Sequence, residues 1–151
     1  MGLTCMLCGH ADAPPFVGDA LERAVADLIN VRAVRMFYIG HQGNFDRMAL
    51  IVMRKMQKAF PDIAYAVVLA YMQGKVPTFE SDTPTMYPEG LELVPRKFAI
   101  SHRNRWMTAN SDIAVAYVNR GYGGAAQTIV YARRCGLEII NLADRQMYEN
   151  D

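Results

Sequence analysis

Residues 63–71 form a run that is apolar almost throughout. A strand with one face in water alternates apolar and polar residues, whereas an unbroken apolar run is typical of a strand covered on both faces. Strands of that kind belong to parallel sheets, because the crossover connections of a parallel sheet place helices on both of its faces. The run therefore favours an α/β fold.

Further apolar segments predict four more strands, and helical patterns separate them. The other predicted strands are residues 3–8, 35–39, 112–118 and 137–142. Apolar spacing or composition predicts helices around residues 21–29, 45–60, 98–110 and 128–135. We expect Asn44 to cap the second helix, Pro61 to end it, and Gly136 to follow the fourth helix as a left-handed cap.

This alternation of strands and helices predicts a topology. Right-handed crossovers convert it into a doubly wound, Rossmann-like parallel sheet of order 3-2-1-4-5, in a three-layer α/β/α arrangement. In such sheets ligands bind outside the carboxyl ends of the strands, where the winding direction reverses. The sequence therefore predicts both a fold and an edge of the sheet for a ligand site.

The length and composition fit one packed domain spanning residues 1–151. The chain has 52% apolar and 21% charged residues, which is the balance of a folded globule. A connection at about 72–95 contains four prolines and two glycines, and is longer than ordinary loops. It is either a lid over a site or a surface excursion with a short strand or helical turn.

The formal net charge of +1 gives no strong field toward nucleic acid or an anionic membrane. No apolar run approaches the ~18 residues of a membrane span, and the N-terminus lacks a signal-peptide pattern. We therefore expect a cytoplasmic protein with no membrane partner, and the charge argues against nucleic acid as a partner. Ten methionines and several apolar positions favour a homo-oligomer.

The cysteines invite a redox or zinc interpretation through the spacing Cys5-x-x-Cys8. In an extended strand, however, residues three apart point to opposite faces, so the two thiols do not converge on one metal. A site built from a histidine and Cys8 has no ligand-spacing signature either. We predict structural thiols and no metal or other cofactor.

Three glycine turns end predicted strands and lead toward helices, so bare amides and the helix dipole can meet a phosphate there. A single such turn is often only a steric necessity, but three at carboxyl ends favour a binding crevice. The candidate ligand-binding residues in these turns are Gly9, His10, Gly40, His41, Gly43, Asn44, Gly121, Gly123 and Gly124.

Polar residues outside the glycines extend this candidate set. Arg103 and Asn104 lie on the helix before the fourth strand, where a guanidinium can grip a phosphate, although a solvated helix face is the alternative. Asp46 and Asp112 are placed to contact a ribose hydroxyl, yet Asp46 equally suits the first turn of its helix. Thr128 completes the set of candidates.

At these residues the chain resembles the SLOG superfamily, a Rossmann-like group that contains the Lonely Guy phosphoribohydrolases and the DNA-processing DprA proteins. Residues 5–10 are similar to that group's first strand ending in Gly-His, and residues 38–49 to its Gly-x-x-Gly-x-Asp turn. Arg103-Asn104-x-x-Met107, Ser111-Asp112 and the turn at 121–124 resemble the Lonely Guy pattern in order and spacing.

The resemblance implies that Arg103 is the ligand-phosphate or catalytic arginine. It also implies a glutamate after the glycine turn that assists cleavage of an N-glycosidic bond, but residues 125–130 contain no acid and Gln127 or a neighbour takes its place. A neutral amide neither steadies an oxocarbenium-like centre well nor activates water. The first turn also differs from the family pattern. This chain has Ala11 at the position where many small bacterial members have the arginine of a Gly-His-Arg sequence.

These features favour a module that binds or senses a nucleotide-derived ligand, such as a nucleotide or an ADP-ribose-like molecule. The alternative is a phosphoribohydrolase or related nucleotide hydrolase that uses another acid, such as Asp46. A DNA-linked role by analogy with DprA is the third reading. The near-neutral charge and the lack of a basic-aromatic stripe in the sequence argue against it.

Overall fold

The computed structural model describes residues 2–71 and 82–144 of the chain. The strands are β1 (Leu3–Gly9), β2 (Val34–Ile39), β3 (Ala64–Val68), β4 (Thr85–Met86), β5 (Ile113–Tyr117) and β6 (Glu138–Asn141). The α-helices are α1 (Val17–Arg32), α2 (Gly43–Ala59), α3 (Ala99–Ala109) and α4 (Gly124–Arg134). None of these helices is both long enough and apolar enough for a bilayer crossing.

The six strands form one sheet in which every pair is parallel, in the order β4-β3-β2-β1-β5-β6. This confirms the predicted α/β class and the doubly wound arrangement. The observed order differs from the predicted one by the extra edge strand β4, and without it the five strands follow 3-2-1-4-5. Strand β4 has only two residues inside a proline-rich connection, too few to show a period of two.

Alternate residues of β1 enter separate hydrophobic clusters on the two faces of the sheet. Cys5 and Leu7 pack in the cluster that includes the buried residues of α1 and α2. Met6 and Cys8 pack in the cluster that includes Met107 of α3. The prediction that Cys5 and Cys8 diverge is therefore confirmed, and burial raises the pKa of both thiols to about 12.

Two local predictions need correction. Strand β3 ends at Val68 and not at residue 71, although Leu69 and Ala70 are also buried. The position before α2 is held by Gln42, which makes no side-chain cap, and Asn44 lies in the first turn with its amide directed at the Ala13 carbonyl. Helix α2 therefore starts two residues earlier than expected, at Gly43, which lies against the loop after β1.

The glycine after α4 has the predicted conformation. Gly136 has φ of +88° after the C-terminal end of α4, which confirms the predicted left-handed cap.

The long connection predicted at 72–95 is described only in part. Residues 72–81 lie outside the described residues, so the lid prediction is not tested there. Residues 82–95 contain β4 and a 3₁₀ turn, Leu91–Leu93, and a second turn, Arg96–Phe98, leads into α3.

Candidate functional site

A cavity of about 320 Å³ opens at the carboxyl ends of β1, β2 and β5. The chain leaves β1 toward α1 on one face of the sheet and β5 toward α4 on the other, so this is where the winding direction reverses. The walls come from the turns after these strands, from α3 and from the start of α4. The topology therefore produces the crevice at the edge that the sequence predicted.

Most of the predicted ligand-binding residues meet at this cavity. Those that line it are Gly9, His10, Gly40, Asp46, Arg103, Asn104, Gly123 and Gly124. The remaining candidates, His41, Gly43, Asn44, Gly121 and Thr128, are not part of its lining. Thr128 instead lines a neighbouring cavity between α3 and α4.

Gly43 and Gly123 both have a positive φ, but their surroundings differ. Gly43 has φ of +86°, and a Cβ there would clash with the backbone of Ala11. Its role is to let the start of α2 pack against the loop after β1, where the Asn44 N–H donates to the Ala11 carbonyl at 2.8 Å. Gly123 has φ of +96°, but apart from its own neighbours in the chain no atom of the described residues lies within 4 Å of the position of its missing Cβ. The space beside Gly123 is open.

Helix α4 presents its N-terminus to the cavity. Gly123 precedes the helix without any side-chain cap, and the first helical hydrogen bond runs from the Gln127 N–H to the Gly123 carbonyl. The amides of the preceding turn have no partner within the helix, and Gly124 and Ala125 line the cavity. The positive end of the helix dipole therefore lies at the cavity wall.

Two side-chain nitrogen atoms of residues that line the cavity are buried without a hydrogen-bond partner among the described residues. His10 is only 4% exposed, and neither its Nε2 atom nor Nε of Arg120 has a hydrogen-bond partner in the part of the chain that the structure describes. Arg120 Nη2 donates to Asp12 Oδ1 at 2.9 Å. Burial first, and then the charge of Arg120, lower the pKa of His10, so its imidazole is neutral at pH 7.

Arg103 is fixed deep in the site. It is 2% exposed, and it donates from Nη1 to the Val68 carbonyl at 2.9 Å, from Nη2 to Gln42 Oε1 at 2.6 Å and from Nε to Asn104 Oδ1 at 2.8 Å. A guanidinium carries five N–H donors, so these bonds leave part of its capacity open. The charge of Arg103 is thus held rigidly beside the cavity.

Among the described residues that line the cavity, Asp46 supplies the one carboxylate. Its Oδ2 accepts a hydrogen bond from the Gln42 N–H at 2.9 Å, and the missing side chain of Gly40 gives room to both Asp46 and Arg103. Burial raises the pKa of Asp46 to about 6, while the positive charge of Arg103 acts in the opposite direction. The carboxylate is therefore mostly ionised at neutral pH and becomes neutral in mild acid.

Two other sequence candidates lie away from the cavity. The Nε2 atom of His41 accepts a hydrogen bond from the Ala70 N–H at 3.0 Å, and burial lowers the pKa of His41 to about 4. This imidazole helps to hold the chain after β3. Asp112 precedes β5 at the amino edge of the sheet, where Oδ2 accepts from the Thr4 N–H at 2.9 Å. The expected ribose contact of Asp112 is therefore wrong.

Two polar cavity residues were not predicted from the sequence, Gln42 and Arg120. Gln42 lies inside the second glycine turn, and Arg120 directly precedes the third, so their neighbourhood was a usable signal. The contact between Gln42 and Arg103 joins residues far apart in the chain, and no local pattern encodes it.

No protein-family model and no curated protein matches the chain. Solved structures do match its fold. DprA from Streptococcus pneumoniae superposes with a TM-score of 0.66 at 14% identity, covering 91% of this chain and 49% of that one. DprA from Helicobacter pylori, whose structure addressed its single-stranded DNA binding mode, gives a TM-score of 0.50 at 13% identity, covering 98% and 73%.

These likenesses confirm the Rossmann-like fold that the resemblance implied. The chain spans about half the length of the Streptococcus pneumoniae protein. At this level of identity the comparison establishes the shared architecture alone. A Rossmann-like α/β fold is the common feature.

The expectation that excluded nucleic acid as a partner is wrong, because the Helicobacter pylori protein with this fold binds single-stranded DNA. The argument from net charge failed because that charge is a sum over the whole surface, while binding depends on local charge. In the fold, individual cations also lie over aromatic rings, in the pairs Arg96–Tyr71, Lys97–Phe98, Arg105–Tyr131 and Arg120–Tyr122.

Proposed function

We propose that the cavity binds the phosphate group of a nucleotide or a nucleotide-derived molecule. The observation that carries the proposal is a pair of buried side-chain nitrogens without partners among the described residues, beside the open N-terminus of α4. They are Arg120 Nε, which is a donor, and His10 Nε2, which donates in the Nε2–H tautomer of the neutral ring. A buried polar atom without a partner costs about 1–3 kcal/mol, and an anionic oxygen would remove this cost at Arg120 Nε and, in the Nε2–H tautomer, at His10 as well. Such a pair favours an anion with several acceptor oxygens.

The charges around the cavity support an anionic ligand. Arg103 and Arg120 oppose the one carboxylate of the lining, Asp46, and the dipole of α4 adds further positive potential. The spare donors of Arg103 suit a bidentate contact with phosphate oxygens. Asp12, whose side chain is 70% exposed, pairs with Arg120 from outside the lining, so the two arginines and the two carboxylates balance and the dipole of α4 supplies the excess positive potential.

The proposed role is binding and not cleavage. Gln127 is exposed and lines the neighbouring cavity, so the position after the glycine turn supplies no acid to the phosphate cavity. Asp46 is the remaining acid there, and its Oδ2 atom already accepts the hydrogen bond of the Gln42 amide. A hydrolase would have to use this carboxylate.

A second candidate function is binding of single-stranded DNA, with one of its phosphates in the same cavity. The fold shared with the DNA-binding Helicobacter pylori protein favours it. So does Tyr122, which is 71% exposed and lies with its ring 5.2 Å from the Arg120 guanidinium. An exposed ring next to a cation is the usual platform on which an unpaired base stacks above a backbone phosphate.

Calorimetric titration with AMP, ADP-ribose and a hexamer of deoxythymidine tests both candidates. We expect at least one probe to bind, and Arg120→Ala to weaken that binding about 10- to 100-fold, since charge-assisted hydrogen bonds contribute about 1.5–3 kcal/mol. AMP or ADP-ribose without the oligomer favours the first candidate, and the oligomer alone favours the second.

Arg134→Ala is the matched control. Arg134 is exposed in the last turn of α4, so its removal changes the net charge equally at the far end of the same helix. We expect the affinity of the Arg134→Ala variant for the bound probe to stay within twofold of wild type. Failure of all three probes to bind, or equal losses in the two variants, would contradict the proposed phosphate site.

A further inference from the structure

A second cavity, of about 270 Å³, lies between α3 and α4 next to the phosphate cavity. The two cavities share Ile100, Asn104 and Gly124 as walls. Each volume lies at or below the lower end of the ~300–1,000 Å³ that is typical of small-molecule sites, while the two together fall within that range. They therefore form two compartments of one cleft.

The second cavity has the chemistry of a wall for a planar polar ring. The Arg105 guanidinium lies over the Tyr131 ring at 5.0 Å, so the ring supports a flat cationic group at the cavity wall. Ser101, Gln127 and Lys97 add hydrogen-bonding groups around it. No carboxylate is among the described residues that line this cavity.

Asn104 separates the compartments and is held from both sides. Its Oδ1 accepts from Arg103 Nε at 2.8 Å, and its Nδ2 donates to Thr128 Oγ1 at 3.1 Å. Thr128 in turn donates to the Gly124 carbonyl at 2.8 Å, in the first turn of α4. This chain of hydrogen bonds fixes the second cavity relative to both the Arg103 charge and the helix N-terminus.

We propose that the cavity between α3 and α4 is a nucleobase subsite, so that one nucleotide spans the cleft with its phosphate at α4 and its base against Arg105 and Tyr131. This inference rests on the proposed phosphate site and names the part of the ligand that the site alone does not define. Bases stack on guanidinium planes and aromatic rings with little dependence on their identity. The subsite therefore selects for a base and only weakly among bases.

The test compares ribose 5-phosphate with AMP, which differ by the base. We expect AMP to bind the full chain at least tenfold more tightly. Arg105→Ala and Tyr131→Leu should each lower the AMP affinity by about five- to 100-fold, because stacking of one base contributes about 1–3 kcal/mol. The affinity for ribose 5-phosphate should stay within twofold of wild type in both variants.

Arg134→Ala again serves as the control, and melting curves of all variants check the fold. A 5′-phosphorylated deoxythymidine hexamer, titrated in parallel, distinguishes a free nucleotide from the end of a strand. The subsite fails alone if ribose 5-phosphate binds and AMP binds no tighter, or if Arg105→Ala weakens both equally. If neither phosphate probe binds, the phosphate site fails as well.

Discussion

At the scale of residues, the site combines charges that oppose one another. Burial and the positive charge of Arg103 act on Asp46 in opposite directions, and burial has the larger effect, so the pKa of Asp46 rises to about 6 from its ordinary value of 3.8. Between these values the folded chain keeps a proton that the unfolded chain has released. Asp46 therefore makes the unfolding free energy fall as the pH rises from about 4 to 6.

Asp46→Asn tests this sign. Asparagine resembles the protonated acid, and its side-chain oxygen can still accept the hydrogen bond of the Gln42 amide. We expect the variant and the wild type to melt at similar temperatures near pH 4. As the pH approaches 7, the melting temperature of the variant should rise relative to that of the wild type. Thermal melts followed by circular dichroism at half-unit pH steps give the difference curve.

Asp12→Asn provides a comparison of the opposite sign. The hydrogen bond from Arg120 lowers the pKa of Asp12. Replacing Asp12 should therefore cause a small loss of stability at pH values above the ordinary pKa of an aspartate. A flat difference curve for Asp46→Asn would show that attraction to Arg103 cancels the effect of burial, and a wild type that becomes the more stable protein toward pH 7 would show that it outweighs burial.

At the scale of elements, the start of α2 determines how the turns at the carboxyl edge fit together. The helix begins at Gly43, against the loop that follows β1, and its next residue makes a hydrogen bond to the Ala11 carbonyl. The same first turn carries Asp46 to the cavity. The position of one helix end thus sets both the packing of the loop and the place of the acid.

Gly43→Ala should destabilise the chain by about 2–3 kcal/mol, because a left-handed conformation costs ~1–2 kcal/mol with a Cβ and the added methyl meets Ala11. Gly121→Ala is the matched control, since no atom lies within 4 Å of its missing Cβ. We expect it to stay within ~0.5 kcal/mol of wild type. Urea unfolding of the three proteins measures the difference, and equal effects of the two substitutions would refute the steric argument.

At the scale of the whole molecule, a chain with a net charge of +1 carries a locally positive cleft. Its cationic groups come from α3 and from the turn before α4, and the dipole of α4 reinforces them. Two carboxylates lie beside these cations, Asp46 in the cavity lining and Asp12 in the pair with Arg120. Nucleic acid that binds this cleft would therefore meet few cations.

The salt dependence of oligonucleotide binding follows from that distribution. Each phosphate neutralised on a single strand contributes about −0.7 to the slope of log K against log salt concentration. If the deoxythymidine hexamer binds at the cleft, we expect a slope between about −1 and −2, from titrations at four salt concentrations. A slope steeper than about −4 would mean that an extended basic surface binds the strand instead.

The sequence by itself determined the architecture, because strand and helix patterns are local and right-handed crossovers leave few ways to connect them. It also identified the edge of the sheet and much of the cavity wall, including Gly9, Arg103 and Gly123, since the turns that end parallel strands meet at one edge. The sequence did not predict strand β4, because its two residues are defined only by their pairing with β3 in the folded chain.

The tertiary structure alone decided the roles of the polar side chains. It directed His41 to the Ala70 amide, and it joined Arg103 to Gln42 across 61 positions of the chain. It also left His10 Nε2 without a partner among the described residues. Burial and hydrogen bonding depend on groups that are distant in sequence, and these interactions, unlike periodicity, have no local signature from which they can be read.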